Sequence, residues 1–116
     1  ADEGFDLIVA ADVHVYFGQL NTLLANYAKL SRDGAVLLFS CERATEEEAP
    51  LGYRLLSSGR FAHTKAYAIE TAEEVGYELA KYEQIGPRME RGVAVKGHLF
   101  NFVLKHADRN AQKDEL

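Results

Sequence analysis

The sequence has little cysteine, proline or basic charge: its 116 residues include one cysteine, two prolines, no tryptophan and a net charge of −5. The single cysteine, Cys41, cannot form a disulfide within the chain or supply a set of thiolate ligands, so no metal site is predicted. The thirteen Lys and Arg residues are scattered and are outnumbered by eighteen acidic residues. Because nucleic-acid phosphates are bound by clustered basic side chains, no direct nucleic-acid partner is expected.

Long hydrophobic runs are also missing. No stretch of about 18 apolar residues occurs, so no membrane span is predicted, and the N-terminus has no basic region followed by an apolar core, so no signal peptide is predicted. The first residue is Ala1 rather than Met, which indicates trimming or an incomplete start. Residues 113–116 read KDEL, which would imply the lumen of the endoplasmic reticulum only if a signal peptide is missing from this chain. The compartment is therefore left open.

The sequence does contain the pattern of a βαβ unit. With 47% apolar residues, the chain is typical of a soluble globular domain or a piece of one. Residues 5–10 and 35–41 are apolar runs of the kind found in buried parallel strands. Between them, residues 18–30 repeat apolar side chains with helical spacing. Short connections join the three segments, which predicts a right-handed crossover.

The second half predicts a helix followed by a pair of strands. Residues 64–75 have helical character and end at Gly76, and residues 77–85 and 97–105 have the composition of strands. Gly-Pro and Arg-Gly turn signals lie between these two strands, which indicates an antiparallel hairpin. The predicted fold class is therefore α/β, with the antiparallel pair at one edge of a doubly wound sheet.

The chain is predicted to consist of a partial domain and a tail. Residues 1–105 form the partial domain, and the polar residues 106–116 are expected to be disordered. Residues 42–50 carry three consecutive glutamates and are interpreted as a solvent-exposed loop. Residues 52–67 have mixed character, with two glycines and a Ser-Ser-Gly turn, and only their last part is assigned to a helix.

Three stretches carry a resemblance to a known family: FDLIVAADVHVYFGQL (5–20), LSRDGAVLLFSCE (30–42) and GYRLLSSGRFAHTKAYAIETAEEVGYEL (52–79). Together they resemble the C-terminal half of class I S-adenosylmethionine-dependent methyltransferases, over residues 5–104. The closest likeness is to small-molecule methyltransferase-like domains found beside tetratricopeptide repeats. The resemblance implies a Rossmann-like half sheet with strands in the order 4-5-7-6 and the last strand antiparallel. The glycine-rich turn of such enzymes is absent, because no G-x-G occurs in the sequence.

Candidate cofactor residues follow the first strand. Ligands of open α/β sheets bind beyond the carboxyl ends of the strands, where this chain has a short polar and aromatic loop. By resemblance, Ala11 and Asp12 would contact the amino-acid portion of S-adenosylmethionine, and Tyr16 would wall the methyl site. From the residues alone, Asp12 could equally cap the next helix and Tyr16 could pack in the core. His14 alternates with two valines and is interpreted as facing solvent.

Residues 58–67 form the second candidate cluster. Arg60 could bind a carboxylate or phosphate of the substrate, with Ser58 beside it. His63 could accept a proton from the methyl acceptor, and Tyr67, four residues later, would share a helix face with it as a second catalytic candidate. The alternative is a structural loop whose arginine pairs with a nearby carboxylate and whose tyrosine fills the core. His98, in the last strand, is interpreted as structural.

These features predict the C-terminal part of a methyltransferase that acts on a small molecule and uses S-adenosylmethionine. The alternative is a non-catalytic, methyltransferase-like subunit of a larger assembly, and a flavodoxin-like domain is a third possibility. In the first two cases the first strand would lie at an open sheet edge with unpaired backbone groups. A partner chain or a homo-oligomer is therefore expected at that edge.

Overall fold

A computed structural model describes residues 4–105, apart from the side chain of Glu90. The strands of this part of the chain are β1 (Phe5–Ala10), β2 (Ser31–Arg43), β3 (Tyr53–Leu55), β4 (Phe61–His63), β5 (Tyr77–Glu90) and β6 (Val93–Leu104). The helices are α1 (Asn21–Leu30) and α2 (Lys65–Glu74), and a 3₁₀ turn, His14–Tyr16, follows β1. In residues 4–105 neither helix has the length and apolar character needed to cross a bilayer. The tail predicted for residues 106–116, with its KDEL end, lies outside the described residues.

The sheet is organised around β2. Strand β1 pairs with it in parallel, β6 pairs with it antiparallel, and β5 continues the sheet antiparallel to β6. The order β1-β2-β6-β5 is the predicted order 4-5-7-6 with an antiparallel last strand, so the predicted α/β half sheet is confirmed. Glu42 of β2 pairs with β6 on one side and with β4 on the other. Strand β4 therefore lies on the same side of β2 as β1, further along the strand.

Both helices pack on one face of the sheet. The apolar face of α1 places Leu24 and Ala28 in the core, and α2 adds Ala68 and Ala72. Helix α2 begins at Thr64, whose hydroxyl accepts a hydrogen bond from the backbone N–H of Tyr67 at 3.1 Å, as N-caps commonly do. The buried sheet residues beneath the helices are Ala10, Leu37, Phe39, Cys41, Tyr77, Phe100, Phe102 and Leu104. Cys41 is thus a buried apolar residue, as predicted.

The opposite face of the sheet has no helix over it within residues 4–105. Successive strand residues point to opposite faces, so the residues between the core positions, such as Leu38 and Val103, lie on this second face and are half-buried. At the β1 edge, Leu7 and Val9 are 54% and 59% exposed. This apolar face and the open β1 edge match the kind of surface that proteins cover with a partner.

Two parts of the fold differ from the sequence-based expectation. The short hairpin β3–β4 was not predicted. Strands β5 and β6 also run further than expected and meet at Arg91 and Gly92, which both have positive φ (51° and 79°), the conformation of a two-residue type I′ turn. The Gly-Pro signal lies inside β5, where the pairing register shifts between Ile85 and Arg88. We call residues 85–97 the hairpin arm.

Candidate functional site

A cleft lies at the carboxyl ends of β1 and β2. The hairpin arm reaches the same edge, because β6 starts and β5 ends there. Residues of β2, β5 and β6 and of the loop after β1 line the cleft, among them Asp12, Ser40, Glu42, Arg88, Lys96 and Gly97. Its enclosed volume is about 20 Å³, room for about one water molecule. By itself the cleft is therefore too small to enclose a small-molecule ligand.

Asp12 is at the centre of the polar contacts in this cleft. Its φ of 58° lies in the left-handed region, which few non-glycine residues adopt. Its backbone N–H donates to the Ser40 hydroxyl at 3.5 Å. Its carboxylate lies 3.5 Å from Arg88 and 3.8 Å from Arg60. The alternative that Asp12 caps the next helix is wrong, because neither the 3₁₀ turn nor α1 has a side-chain cap.

Arg60 is held by a buried carboxylate. Its Nε donates to Oε1 of Glu42 at 2.7 Å, a short charge-assisted hydrogen bond. This is the arrangement expected from the structural alternative, in which the arginine pairs with a nearby carboxylate. Ser58 is exposed, and its hydroxyl accepts from the backbone N–H of Arg60 at 3.4 Å. A role for Ser58 and Arg60 in substrate binding stays a prediction.

His63 and Tyr67 lie together beneath the loop after β1, with ring centroids 6.2 Å apart. His63 is fully buried, and its Nε2 donates to the carbonyls of Phe17 and Gly18 at 2.9 and 3.0 Å. Burial lowers the pKa of His63, and these two hydrogen bonds offset part of that effect. The Tyr67 hydroxyl accepts from the backbone N–H of Leu20 at 2.9 Å. Both side chains thus hold the loop that carries the site, and their catalytic roles stay predictions.

The two other histidines of the described chain lie in the core. The expectation that His14 faces solvent is wrong: it is fully buried, with its ring centroid 4.1 Å from that of Phe39. Side chains of an extended strand point alternately to its two faces. The 3₁₀ turn interrupts this alternation, so the His14 ring points into the core. Burial lowers the pKa of His14 to about 3. His98 is structural, as expected, since its Nε2 donates to the carbonyl of His63 at 2.9 Å.

The cofactor candidates occupy the exposed side of the same edge. Ala11 and Asp12 are exposed, and Tyr16 is 65% exposed. The backbone of Ala11 and Asp12 and the ring of Tyr16 are accessible directly beyond β1, so their positions fit one wall of a cofactor site. Sequence reasoning missed Arg88 and Lys96, although both lie in the stretch in which it found turn signals.

We expect Tyr67→Phe to lower the free energy of unfolding by about 1 kcal/mol or more, because it removes the acceptor of the Leu20 N–H. Tyr16→Phe is the matched control, since its exposed side chain should leave stability within about 0.5 kcal/mol of the parent. Urea unfolding followed by circular dichroism measures both. Equal losses in the two variants would show that the Tyr67 hydroxyl does not hold the loop.

Comparisons with known proteins find the same fold among methyltransferases. No protein-family model and no curated protein sequence matches the chain. Among solved structures, the chain is similar to the N-methyltransferase NodS from Bradyrhizobium japonicum WM9 in complex with S-adenosyl-L-homocysteine, with 20% identity and a TM-score of 0.59. It is also similar to a SAM-dependent methyltransferase from Methanosarcina mazei, with 13% identity and a TM-score of 0.70. A third similar structure is magnesium protoporphyrin IX methyltransferase from Synechocystis PCC 6803 with bound SAH, with 13% identity and a TM-score of 0.64.

These similarities cover most of this chain and only part of each neighbour. Each comparison includes 90% of the chain, against 48% of NodS, 61% of the Methanosarcina protein and 47% of the Synechocystis enzyme. At identities of 20% or less, the similarity establishes the fold. The chain therefore has the fold of the C-terminal half of a class I S-adenosylmethionine-dependent methyltransferase.

Proposed function

We propose that this chain is the C-terminal part of a methyltransferase that transfers a methyl group from S-adenosylmethionine to a small molecule. The observation that carries the proposal is the position of Asp12 in the cleft. It sits in a left-handed conformation directly beyond β1, at the edge where open α/β sheets bind their ligands. The fold around it is shared with methyltransferases, including structures that contain S-adenosylhomocysteine or S-adenosylmethionine.

The cofactor, when bound, supplies an electrophilic methyl group. The work left to the protein is to orient the reactants and to exclude water. In this proposal Ala11 and Asp12 contact the amino-acid portion of the cofactor, and the Tyr16 ring covers the methyl group. The contacts of His63 and Tyr67 with the loop after β1 support a positioning role for both.

The rest of the cofactor site must come from outside these residues. No G-x-G occurs in the sequence, so the glycine-rich turn that brings a backbone close to such a cofactor is missing. The uncovered sheet face and the β1 edge, with Leu7 and Val9 exposed, support a partner at the same place. We propose that the missing half, from preceding sequence or a second chain, covers this face and closes the cleft.

The test is calorimetric titration with S-adenosylhomocysteine. We expect no detectable heat from the 116-residue chain alone, because half of the site is missing. The transcript upstream of Ala1 is then sequenced, and the longer polypeptide, if it contains a strand followed by a glycine-rich turn, is titrated in the same way. We expect micromolar binding that Asp12→Ala weakens about tenfold and that Asp33→Ala, at an exposed position near the start of β2, leaves unchanged. Micromolar binding by the short chain alone would contradict the account of the missing half.

A non-catalytic subunit is the second candidate, and the small volume of the cleft favours it. In this case the chain contributes only a sheet and two helices to a larger assembly. The same titration separates the two candidates. A completed protein that is folded but produces no heat with S-adenosylhomocysteine would support the structural subunit and exclude the enzyme.

A further inference from the structure

We infer that Tyr82 and His98 are positioning residues for the candidate site, because together with His63 they form a network of hydrogen bonds that fixes the loop after β1. We call these three side chains the Tyr82–His63 network. The loop comprises residues 11–20 and contains Asp12. The effect of the network on the loop is independent of the proposed function. Its effect on the binding of S-adenosylmethionine rests on that function, because Asp12 is part of the proposed cofactor wall.

The first argument is that the His98 ring has a fixed orientation. Its Nε2 lies 2.9 Å from the carbonyl oxygen of His63, and since a carbonyl only accepts, this nitrogen carries the proton. Burial lowers the pKa of His98 to about 4, so the ring is neutral near neutral pH and its Nδ1 is an acceptor. The Tyr82 hydroxyl therefore donates to Nδ1, at 2.6 Å. Both ring nitrogens are thus used, each with a partner of the matching kind.

The second argument is that the hydrogen bond from His98 connects two strands that are not neighbours in the sheet. Strands β4 and β6 lie on opposite sides of β2. Strand β4 has three residues and pairs with β2 at two of them, Ala62 and His63. Because so short a strand has few hydrogen bonds of its own, the bond from His98 is a large part of what holds the His63 backbone in place.

The third argument is that the network ends on the loop. The Nε2 of His63 donates to the carbonyls of Phe17 and Gly18 at 2.9 and 3.0 Å. Hydrogen bonds weaken steeply as their geometry departs from the optimum, so a shift of β4 would weaken both at once. The part of the loop that contains Asp12 and Tyr16 is connected directly to these two residues. A change at His98 therefore reaches the site through His63.

The fourth argument is that Tyr82 itself is held firmly. Its ring packs against those of Phe100 and His98, with centroids 5.2 and 5.5 Å away. The Nζ of Lys65, the first residue of α2, lies 4.2 Å from the centroid of the Tyr82 ring, within the range of a cation–π contact. Contacts from β6 and from α2 thus keep the hydroxyl directed at His98.

The experiment is hydrogen exchange of the ¹⁵N-labelled 116-residue chain, followed by NMR spectroscopy. The Leu20 N–H donates to the Tyr67 hydroxyl and reports on opening of the loop. The Leu37 N–H lies in the middle of β2, where Leu37 is fully buried, and reports on unfolding of the whole sheet. We expect His98→Leu to accelerate exchange at Leu20 about tenfold more than at Leu37. Equal acceleration at both amides would make His98 a residue of general stability and would overturn the inference.

Conservative variants test the hydrogen bonds themselves. The side-chain amide of His98→Gln can donate where the imidazole Nε2 does, so we expect exchange at Leu20 to return to within about threefold of the parent rate. Tyr82→Phe keeps the ring and removes the hydroxyl, and it should accelerate exchange at Leu20 about fivefold. Tyr53→Phe, which removes a half-buried hydroxyl of β3 outside the network, is the matched control and should change nothing. If His98→Leu does not fold, Tyr82→Phe decides alone, and a parental rate at Leu20 in that variant would overturn the inference.

The completed protein connects the network to the site. We expect His98→Leu to weaken the binding of S-adenosylhomocysteine about tenfold and His98→Gln to restore it to within about threefold. If the completed protein binds no S-adenosylhomocysteine, the proposed function is wrong, and the exchange rates of the short chain still decide whether the network fixes the loop. If His98→Leu accelerates exchange at Leu20 but leaves the affinity for S-adenosylhomocysteine unchanged, the network does not position the site and the inference is wrong.

Discussion

Acidification from about pH 7 to about pH 4.5 is expected to unfold much of this chain, because three histidines are buried without charge. His14, His63 and His98 are at most 2% exposed. Burial lowers the pKa of all three, to about 3 for His14 and about 4 for His98. Each of them therefore takes up a proton more readily in the unfolded chain than in the folded one.

The direction of the effect follows from the two pKa values of each imidazole. Above about pH 6.5 both states are neutral and the folded state keeps its full stability. Between about pH 6.5 and 3, the unfolded chain binds a proton at position 14 and the folded chain does not, so stability falls as the pH falls. For His14 alone the loss at about pH 4.5 is about 2 to 3 kcal/mol. His63 and His98 add losses of the same sign to a total stability of about 5 to 15 kcal/mol.

The measurement is the urea midpoint as a function of pH, followed by far-ultraviolet circular dichroism. His14→Phe is the informative variant, because it keeps a ring against Phe39 and cannot titrate. We expect its acid transition to lie at lower pH than that of the parent. A His14→Phe variant with an unchanged acid transition would mean that His14 is not a source of the acid sensitivity.

Gly52→Ala is expected to lower the free energy of unfolding by about 3 kcal/mol or more. Gly52 has a φ of +98°, and a Cβ at this position would overlap the ring carbons of Tyr67. The substitution would strain the backbone and also displace the tyrosine whose hydroxyl accepts from Leu20. Gly52→Ala therefore combines two destabilising effects, the strain of the backbone and the displacement of the Tyr67 side chain.

Gly59→Ala separates these two penalties. Gly59 has a similar φ of +87°, but no atom lies within 4 Å of a Cβ placed there. We expect it to lose about 1 to 2 kcal/mol from backbone strain alone, and the difference between the variants gives the cost of moving Tyr67. Urea unfolding measures both. If the two glycines tolerate alanine equally well, the close packing of Tyr67 against Gly52 does not contribute to stability.

The main sheet could be predicted from the sequence because its signals are local. The apolar run at residues 5–10 coincides with β1, the run at residues 35–41 forms the middle of β2, and helical spacing predicts both helices. The β3–β4 hairpin could not be predicted in this way, since three-residue strands are too short to show a period. Strand β4 exists because it pairs with Glu42 and Arg43 of β2, a contact that depends on the folded sheet.

The residues of the candidate site also differ in whether local sequence patterns can identify them. Asp12 could be identified because the end of a predicted strand gives its location. Arg88 could not be, since it reaches Asp12 across 76 positions of sequence and only the register of β5 on β6 brings it there. His14 was misplaced because one turn of 3₁₀ helix reverses the side to which it points. The long-range strand pairings that bring the cleft residues together cannot be predicted from local sequence patterns.

The attachment of β1 gives the sheet an order of assembly. Strands β5 and β6 are joined by a two-residue turn, and hairpins of this kind close within microseconds, whereas parallel pairing must first close a longer loop. Strand β1 is held among the described strands by β2 alone, in a parallel pairing, so we expect it to join the sheet after the β5–β6 hairpin has formed. The residues that follow β1, including Asp12, take their places in the fold only together with this strand. In the proposed methyltransferase, a partner that covers β1 would order the strand in the same event that completes the site, so activity would begin only on assembly.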